Sequence, residues 1–280
     1  MEGTVELPGG ATLRFYDTGP GDSEGQALLP VFWHHGTPNI GLPPEPLFPA
    51  AERLGIRWLG YDRPGYGGST RGLGRDVASA ADDVARIADH LGLERFGVVG
   101  HSGGSPHALA CAARLPGRVL GAVLVSTLAP FGADGLDYFA AMIPSGVAAL
   151  QAARQGREAK EAFETSGAEY DPEFTPTDRA ALEGPWRWFG KVVGPALERA
   201  LEGPIDDDLA YVSPWGFEIA DVASPVLLVH GAQDRIAPVA HARWLAKHLP
   251  TAELRVFHDD GHISALTHIE PALEWLAMAW

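Results

Sequence analysis

The sequence contains a single cysteine, Cys111, among 280 residues. One thiol cannot form an intrachain disulfide, which is compatible with a reducing compartment. Basic residues are also few, because 21 lysines and arginines stand against 36 acidic residues and give a net charge of −15. Such an acidic balance argues against nucleic acid and anionic membrane surfaces as partners.

Long apolar runs are missing as well, so no segment of the sequence is expected to span a bilayer. The acidic start, Met1 to Leu7, lacks the basic-then-apolar pattern of a signal peptide. We therefore expect a soluble, cytoplasmic protein that acts on a small molecule; nothing indicates its oligomeric state. Hydrophobic residues make up 46% of the chain. A large core is thus available, and the length suits either one domain with an insertion or two small domains.

Short, continuously apolar runs alternate with helical patterns before residue 130 and again after residue 216. Continuous apolarity is typical of strands buried on both faces. The alternation predicts an α/β fold with a mostly parallel sheet and helices on both faces. The apolar runs predicted as strands of this sheet are Ala27–Trp33, Ile56–Tyr61, Phe96–Val99, Val119–Ser126, Pro225–Val229 and Leu254–Phe257.

The stretch 130–216 has a different pattern, rich in alanine, glutamate and aromatic residues. We predict a core of residues 1–129 and 217–280 with an inserted helical cap, 130–216. Within it, Gln151–Thr165 is predicted as one helix, and Thr175-Pro176-Thr177-Asp178 is typical of a turn or a helix start. Its aromatic side chains are candidates either for the core of the cap or for substrate contact. They are Trp186, Trp188 and Phe189.

The pentapeptide Gly100-His101-Ser102-Gly103-Gly104 follows a predicted buried strand and precedes a helical pattern. Strand, glycine-bounded serine and helix form the pattern G-x-S-x-G of a nucleophile elbow. Small residues are needed there because strand and helix pass close together. Ser102 is therefore the candidate nucleophile.

A serine hydroxyl needs a base to take its proton, and the base needs a carboxylate to orient it. Asp234 follows the strand ending at Val229, and His262 follows the last predicted strand, so both should reach the sheet edge of Ser102. Asp259 and Asp260 are interpreted as turn formers. His258, His262 and Asp260 lack a second ligand cluster, so no metal site is predicted.

An oxyanion hole requires two N–H donors. We assign them to the backbone of Gly103 and of Thr37, in the loop after an early strand. His34 and His101 are candidate substrate contacts, although either could simply be buried. His35 is expected to fix its own loop by hydrogen bonding, and Asp62 and Arg63 are expected to brace neighbouring loops.

The chain resembles the α/β-hydrolase fold family, and in particular its capped serine hydrolases. The motifs that carry the resemblance lie in family order over most of the chain outside the predicted cap. They are His35-Gly36-Thr37-Pro38, Asp62-Arg63-Pro64-Gly65-Tyr66-Gly67, Gly100-His101-Ser102-Gly103-Gly104, Gly231-Ala232-Gln233-Asp234 and Gly261-His262. The resemblance implies hydrolysis through an acyl-serine intermediate without a metal or organic cofactor.

The leading hypothesis is an esterase for a small, largely apolar carboxylic ester. An aminopeptidase of the proline-iminopeptidase type is an alternative, with Glu161, Glu164 or Glu169 as amine-binding candidates. A hydrolase of carbon–carbon bonds would use the same triad. A ligand-binding receptor on this fold is the alternative from another class, and turnover of a p-nitrophenyl ester would distinguish it.

Overall fold

The computed structural model of the chain describes residues 1–19, 27–198 and 201–280. Residues 20–26 of the predicted core and residues 199–200 of the predicted cap lie outside this description. None of the helices in the described ranges is long and apolar enough to cross a membrane.

Eight strands form one sheet in the order β1-β2-β4-β3-β5-β6-β7-β8. The strands are β1 (Glu2–Glu6), β2 (Thr12–Asp17), β3 (Leu29–His34), β4 (Ile56–Tyr61), β5 (Phe96–His101), β6 (Val119–Val125), β7 (Val226–Gly231) and β8 (Ala252–Phe257). β2 runs antiparallel to both of its neighbours, and all other neighbouring strands are parallel. Because β3, β5, β6 and β7 are buried along their whole length, their sequences are continuously apolar.

Helices cover both faces of the sheet. The described helices are α1 (Phe48–Leu54), α2 (Ser79–His90), α3 (Gly104–Arg114), α4 (Pro144–Arg154), α5 (Arg157–Thr165), α6 (Pro176–Glu183), α7 (Gly190–Leu197), α8 (Glu202–Tyr211), α9 (Val239–His248) and α10 (Glu270–Ala277). The apolar sides of α2, α3 and α9 join one core cluster, and those of α1 and α10 join the other. The predicted α/β architecture is therefore confirmed.

Helices α4 to α8 and the 3₁₀ helix Pro185–Phe189 lie between β6 and β7. The prediction of a single helix over Gln151–Thr165 is wrong, because α4 ends at Arg154 and α5 starts at Arg157. Gly156 separates them with a φ of 105°, which a helix cannot contain. Of the two predictions for Thr175-Pro176-Thr177-Asp178, the helix start is confirmed, since Thr175 and Asp178 form a reciprocal capping box at α6.

The parallel strands bring their carboxyl ends to one edge of the sheet. The loop after β3 contains Thr37, the turn after β5 contains Ser102, and the loops after β7 and β8 contain Asp234 and His262. In the strand order, β5 lies between β3 and the β6-β7-β8 group. The turn with Ser102 is thus flanked by the loop with Thr37 on one side and the loops with Asp234 and His262 on the other.

Candidate active site

Ser102 occupies the turn between β5 and α3 with a φ of 54°, a conformation uncommon for residues other than glycine. The turn is held because the Ser102 N–H donates to Val125 O at 2.9 Å. The flanking glycines are required by close approaches. A Cβ on Gly100 would lie 2.6 Å from Gly104 O, and one on Gly104 would lie 1.9 Å from His34 O. This is the geometry that the pentapeptide pattern predicts.

Asp234 and His262 are joined by a 2.9 Å hydrogen bond from His262 Nδ1 to Asp234 Oδ2. The other carboxylate oxygen accepts the backbone N–H groups of Ile236 and Ala237, each at 2.9 Å. Burial alone would raise the pKa of Asp234, but the adjacent His262 and His230 outweigh it and hold that pKa well below its usual range. An ionised Asp234 fixes the proton of His262 on Nδ1, which leaves Nε2 free to accept one.

His230 also contacts this carboxylate and has no role in the sequence interpretation. Its Nε2 donates to Ala237 O at 2.7 Å and lies 3.4 Å from Asp234 Oδ2. The ring is completely buried. His230, at the end of β7, thus supports the loop of Asp234. In the sequence, the only indication of this role is its position two residues before that loop.

The backbone carbonyl of His262 is fixed by two side chains near the elbow. Ser126 Oγ donates to it at 2.9 Å, and His101 Nε2 lies 3.2 Å from it. The rings of His101 and His262 are 5.1 Å apart. Burial, together with the nearby His262, lowers the pKa of His101 to about 3. His101 is therefore neutral. Because His101 directly precedes Ser102, its contact with His262 places that histidine next to the elbow.

The backbone N–H groups around His262 are bound by Asp178 of α6, which the sequence analysis identified only as part of a helix start. His262 N donates at 3.3 Å, and Ile263 N and Ser264 N donate at 2.8 Å each. A Cβ on Gly261 would lie 2.1 Å from Asp178 Oδ2. The capping box was readable from the sequence, whereas this contact to a loop more than 80 residues away was not.

Thr37 and Gly103 are brought together beneath α8. Thr37 Oγ1 lies 2.8 Å from Tyr211 Oη, and Tyr211 Oη donates to Gly103 O at 2.9 Å. A Cβ on Gly103 would lie 2.7 Å from Thr37 Oγ1. The two loops are thus tied to one phenol, and the use of both backbone N–H groups as an oxyanion hole stays a prediction.

Asp207 of α8 is the centre of a buried charge network below Thr37. Its Oδ2 accepts Thr37 Oγ1 at 2.5 Å, Tyr66 Oη at 2.7 Å and Arg63 Nη2 at 2.6 Å. Its Oδ1 accepts Arg75 Nη2 at 2.6 Å. Burial would raise the pKa of Asp207, but Arg63 and Arg75 hold it well below its usual range. The sequence analysis missed Asp207.

The expected bracing residues have that role. His35 Nδ1 lies 2.8 Å from Gly36 O, and its Nε2 accepts the backbone N–H of Arg63. Arg63 Nη1 donates to His35 O. Asp62 accepts the N–H groups of Gly41 and Gly68 at 2.7 and 2.8 Å. These contacts fix the loop after β4 against the loop after β3.

The candidate substrate contacts differ in their surroundings. His34 is completely buried, and its Nε2 lies 3.7 Å from the thiol of Cys111, so a substrate contact by His34 gains no support. Phe189 packs 5.5 Å from the ring of His101. Trp188 lies 6.4 Å from Trp33 of β3. Trp186, Trp188 and Phe189 are at most 7% exposed and also pack against one another, so they form a buried cluster that reaches the elbow.

Asp260, which is close to His262 in the sequence, is paired with a different histidine. Asp260 Oδ2 lies 2.8 Å from His268 Nε2. Within the described ranges, no group of three or more histidine, cysteine, aspartate or glutamate side chains is placed to hold a metal ion. Of the three residues that the sequence grouped as a triad, Asp234 and His262 are thus paired by a hydrogen bond, and Ser102 lies in the turn after β5 at the same edge of the sheet.

A profile of the α/β-hydrolase fold matches residues 30–269. The chain belongs to this family. Along 96% of its length it is 30% identical to a non-heme chloroperoxidase of Streptomyces lividans, covering 95% of that protein. Along 46% it is 35% identical to a bifunctional esterase/perhydrolase of Acinetobacter calcoaceticus, covering 45% of it. A thermophilic esterase from Thermogutta terrifontis shares the fold with a TM-score of 0.69 at 22% identity, over all of this chain and 99% of the esterase. Family membership and the relative named an esterase/perhydrolase support a hydrolase.

Proposed function

We propose that the protein is a serine hydrolase that cleaves a small, largely apolar carboxylic ester through an acyl-serine intermediate. The observation that carries the proposal is the 2.9 Å bond between His262 and Asp234 beside the strained turn of Ser102. Ser102 is the nucleophile and His262 the base. Asp234 stabilises the imidazolium that forms when the base takes the serine proton.

The acyl transfer generates a negative oxygen that needs N–H donors which are fixed in advance. In this proposal the donors are the backbone N–H groups of Thr37 and Gly103. Gly103 is the residue before α3, so the positive end of that helix dipole adds to its N–H. Hydrolysis of the acyl-serine by water completes the cycle and requires no metal or organic cofactor.

The preference for an apolar substrate rests on the cluster of Trp186, Trp188 and Phe189 beside His101. Such a cluster offers an apolar wall rather than charged partners. The aminopeptidase alternative needs an acid that is free to bind an amine. Glu164 pairs with Lys160 at 2.5 Å and Glu161 lies 3.6 Å from Arg157. Both acids therefore already face cations, which disfavours that alternative, and Glu169 is exposed on the outside.

The test is turnover of p-nitrophenyl acetate, butyrate and octanoate by the wild type and by Ser102→Ala. We expect hydrolysis by the wild type and a loss on the order of 10⁴-fold in the variant. A fluorophosphonate probe should label Ser102. Absence of both turnover and labelling in the folded wild type would refute the proposal and favour a ligand-binding receptor.

Perhydrolysis is a second candidate, because one relative is named a bifunctional esterase/perhydrolase. Hydrogen peroxide would replace water as the nucleophile that attacks the acyl-serine, with release of a peracid. Adding peroxide to the ester assay tests it: the rate of ester consumption would stay dependent on Ser102, and peracid would be detected by its oxidation of a dye.

A further inference from the structure

The loop that contains His262 runs directly into the 3₁₀ helix Ser264–His268. The first N–H groups of a helix have no partner within it and need an acceptor from elsewhere. The residue before this helix is Ile263, whose side chain cannot accept a hydrogen bond. Since His262, Ile263 and Ser264 are each at most 5% exposed, water does not fill this need.

Asp178 supplies the missing acceptors from a different part of the fold. Its Oδ1 accepts the N–H groups of Ile263 and Ser264, and its Oδ2 accepts that of His262. The same carboxylate caps its own helix, because Oδ2 also accepts the N–H of Thr175 at 3.1 Å. Each oxygen therefore receives two N–H donors, and one side chain caps two helices.

The side chain of Asp178 is an ionised, buried group. It is only 2% exposed. Burial would raise its pKa, but the donors from Ser264 and Ile263 outweigh this and lower it below the ordinary value. A carboxylate is the acceptor that such a set of N–H groups requires, because charge-assisted hydrogen bonds are about twice as strong as neutral ones.

We propose that Asp178 is a positioning residue for the catalytic base, and this inference rests on the proposed function of His262. Asp234 fixes the ring of His262, while Ser126 and His101 fix its backbone carbonyl. Asp178 binds the backbone N–H of His262 and the N–H groups of the two residues that follow it. Releasing those groups would let the imidazole shift relative to Ser102, and a displacement of about 1 Å can cost on the order of 10²-fold in rate.

The test compares Asp178→Asn with the control Thr175→Val. Either orientation of the asparagine amide places an NH₂ group against two backbone N–H donors, so the base loop must rearrange. The valine removes the hydroxyl that accepts Asp178 N and that lies 2.9 Å from Thr177 Oγ1, and it leaves the three bonds from Asp178 to the base loop in place. Both variants weaken the cap of α6, so a purely structural role predicts similar behaviour.

For hydrolysis of p-nitrophenyl butyrate we expect Asp178→Asn to lower kcat by roughly 10- to 100-fold with a smaller change in KM. Thr175→Val should keep kcat within about twofold. The low-field NMR signal of the His262 Nδ1 proton, bonded to Asp234, should move or broaden in Asp178→Asn and stay in place in Thr175→Val. Equal kcat values and an unchanged low-field signal in Asp178→Asn would overturn the inference.

Gly261→Ala is the second variant in case Asp178→Asn does not fold. The added Cβ would lie 2.1 Å from Asp178 Oδ2 and push the carboxylate away without changing any charge. We expect the same loss of kcat, and an unaltered kcat would overturn the inference. If the wild type neither turns over esters nor labels Ser102, the proposed function fails, whereas the NMR signal still tests whether Asp178 holds His262.

Discussion

Replacing Asp207 by asparagine removes the carboxylate that pairs with both Arg63 and Arg75. Asp207 is completely buried, and the side chains of the two arginines are 1% and 6% exposed. Water therefore cannot solvate the cations after the substitution. Breaking a buried ion pair by removing one partner costs about 3–5 kcal/mol, because the remaining charge is left uncompensated. This is a large part of the roughly 5–15 kcal/mol by which proteins are stable.

The neighbouring residue offers a matched control on the same helix. Asp206 has the same substitution available and pairs with Arg71 and Arg157 at 2.8 and 2.6 Å. The Asp206 side chain is buried, but those two arginine side chains are 23% and 33% exposed, so water can solvate both cations after the substitution. We expect Asp206→Asn to cost about 1 kcal/mol or less. Urea unfolding at pH 7, followed by tryptophan fluorescence, measures both losses.

The pH dependence of the unfolding free energy distinguishes the loss of the Asp207 charge from a change in side-chain shape. The folded pKa of Asp207 is depressed, so its stabilisation is complete above the unfolded pKa of about 3.9 and is lost as the pH falls through the lower folded value. The difference in unfolding free energy between wild type and Asp207→Asn should therefore be constant from about pH 5 to 8 and shrink only below about pH 4.

A further substitution tests the stated cause. In the Asp207→Asn background, Arg75→Met removes one uncompensated charge and should recover part of the lost stability. Equal losses in Asp206→Asn and Asp207→Asn, or a further loss on adding Arg75→Met, would refute the argument. Because Thr37 Oγ1 donates to this carboxylate, ester turnover by Asp207→Asn should also fall.

Three other expectations concern the acid, the apolar wall and the buried histidines. Asp234→Asn should lower kcat of ester hydrolysis strongly, on the order of 10⁴-fold, while Asp260→Asn should stay near the wild type; the reverse order would displace Asp234 from the triad. Phe189→Leu should change the ratio of kcat/KM on octanoate and acetate esters, and an unchanged ratio would assign this ring to packing alone. Burial lowers the pKa values of His107 and His241 to about 4. Each should reduce the unfolding free energy by up to about 1.4 kcal/mol per pH unit as pH falls from about 6.5 towards 4, and His241→Gln should remove its share in urea titrations at pH 7, 6 and 5.

The residues around the elbow could be predicted because their signals are local. Ser102 lies between a short apolar strand and a helix. Gly100 is required by a contact within the turn itself, and Gly104 by the close approach of His34 O at the end of β3. Asp234 and His262 each follow a buried strand. The parallel order of those strands then brings the three positions to one edge without any knowledge of side-chain contacts.

The break between α4 and α5 was signalled locally but misread. The alanine-rich stretch has high helix propensity throughout, and the prediction gave that average more weight than the single Gly156. In the structure Gly156 has a φ of 105°, so the chain changes direction there and α5 can bring Lys160 to Asp208 at 2.6 Å. The side chain of Lys160 is 1% exposed, which makes this contact a tertiary reason for the break.

Asp178 and Asp207 were beyond prediction because their partners are distant in the sequence. Asp178 contacts residues 84 to 86 positions away, and Asp207 contacts Thr37 across 170 positions. Asp207 also lies within three consecutive aspartates, a pattern typical of a solvated helix face. Only the tertiary arrangement turns Asp207 inward, towards Arg63 and Arg75 in the loop after β4.

Through Asp178 and Asp207, the segment between β6 and β7 supports two of the loops around Ser102. Asp178 holds the loop after β8 and Asp207 holds the loop after β3, which lie on opposite sides of the elbow strand β5. Lifting the whole segment as one rigid lid would strip both carboxylates of buried donors, and each such loss is costly. Deleting residues 130–216 would likewise remove the partners of the base loop and of Thr37 together with any cover over the site. Loss of activity after such a deletion would therefore not identify a lid, whereas the point variants at Asp178, Asp207 and Phe189 separate support of the catalytic loops from choice of substrate.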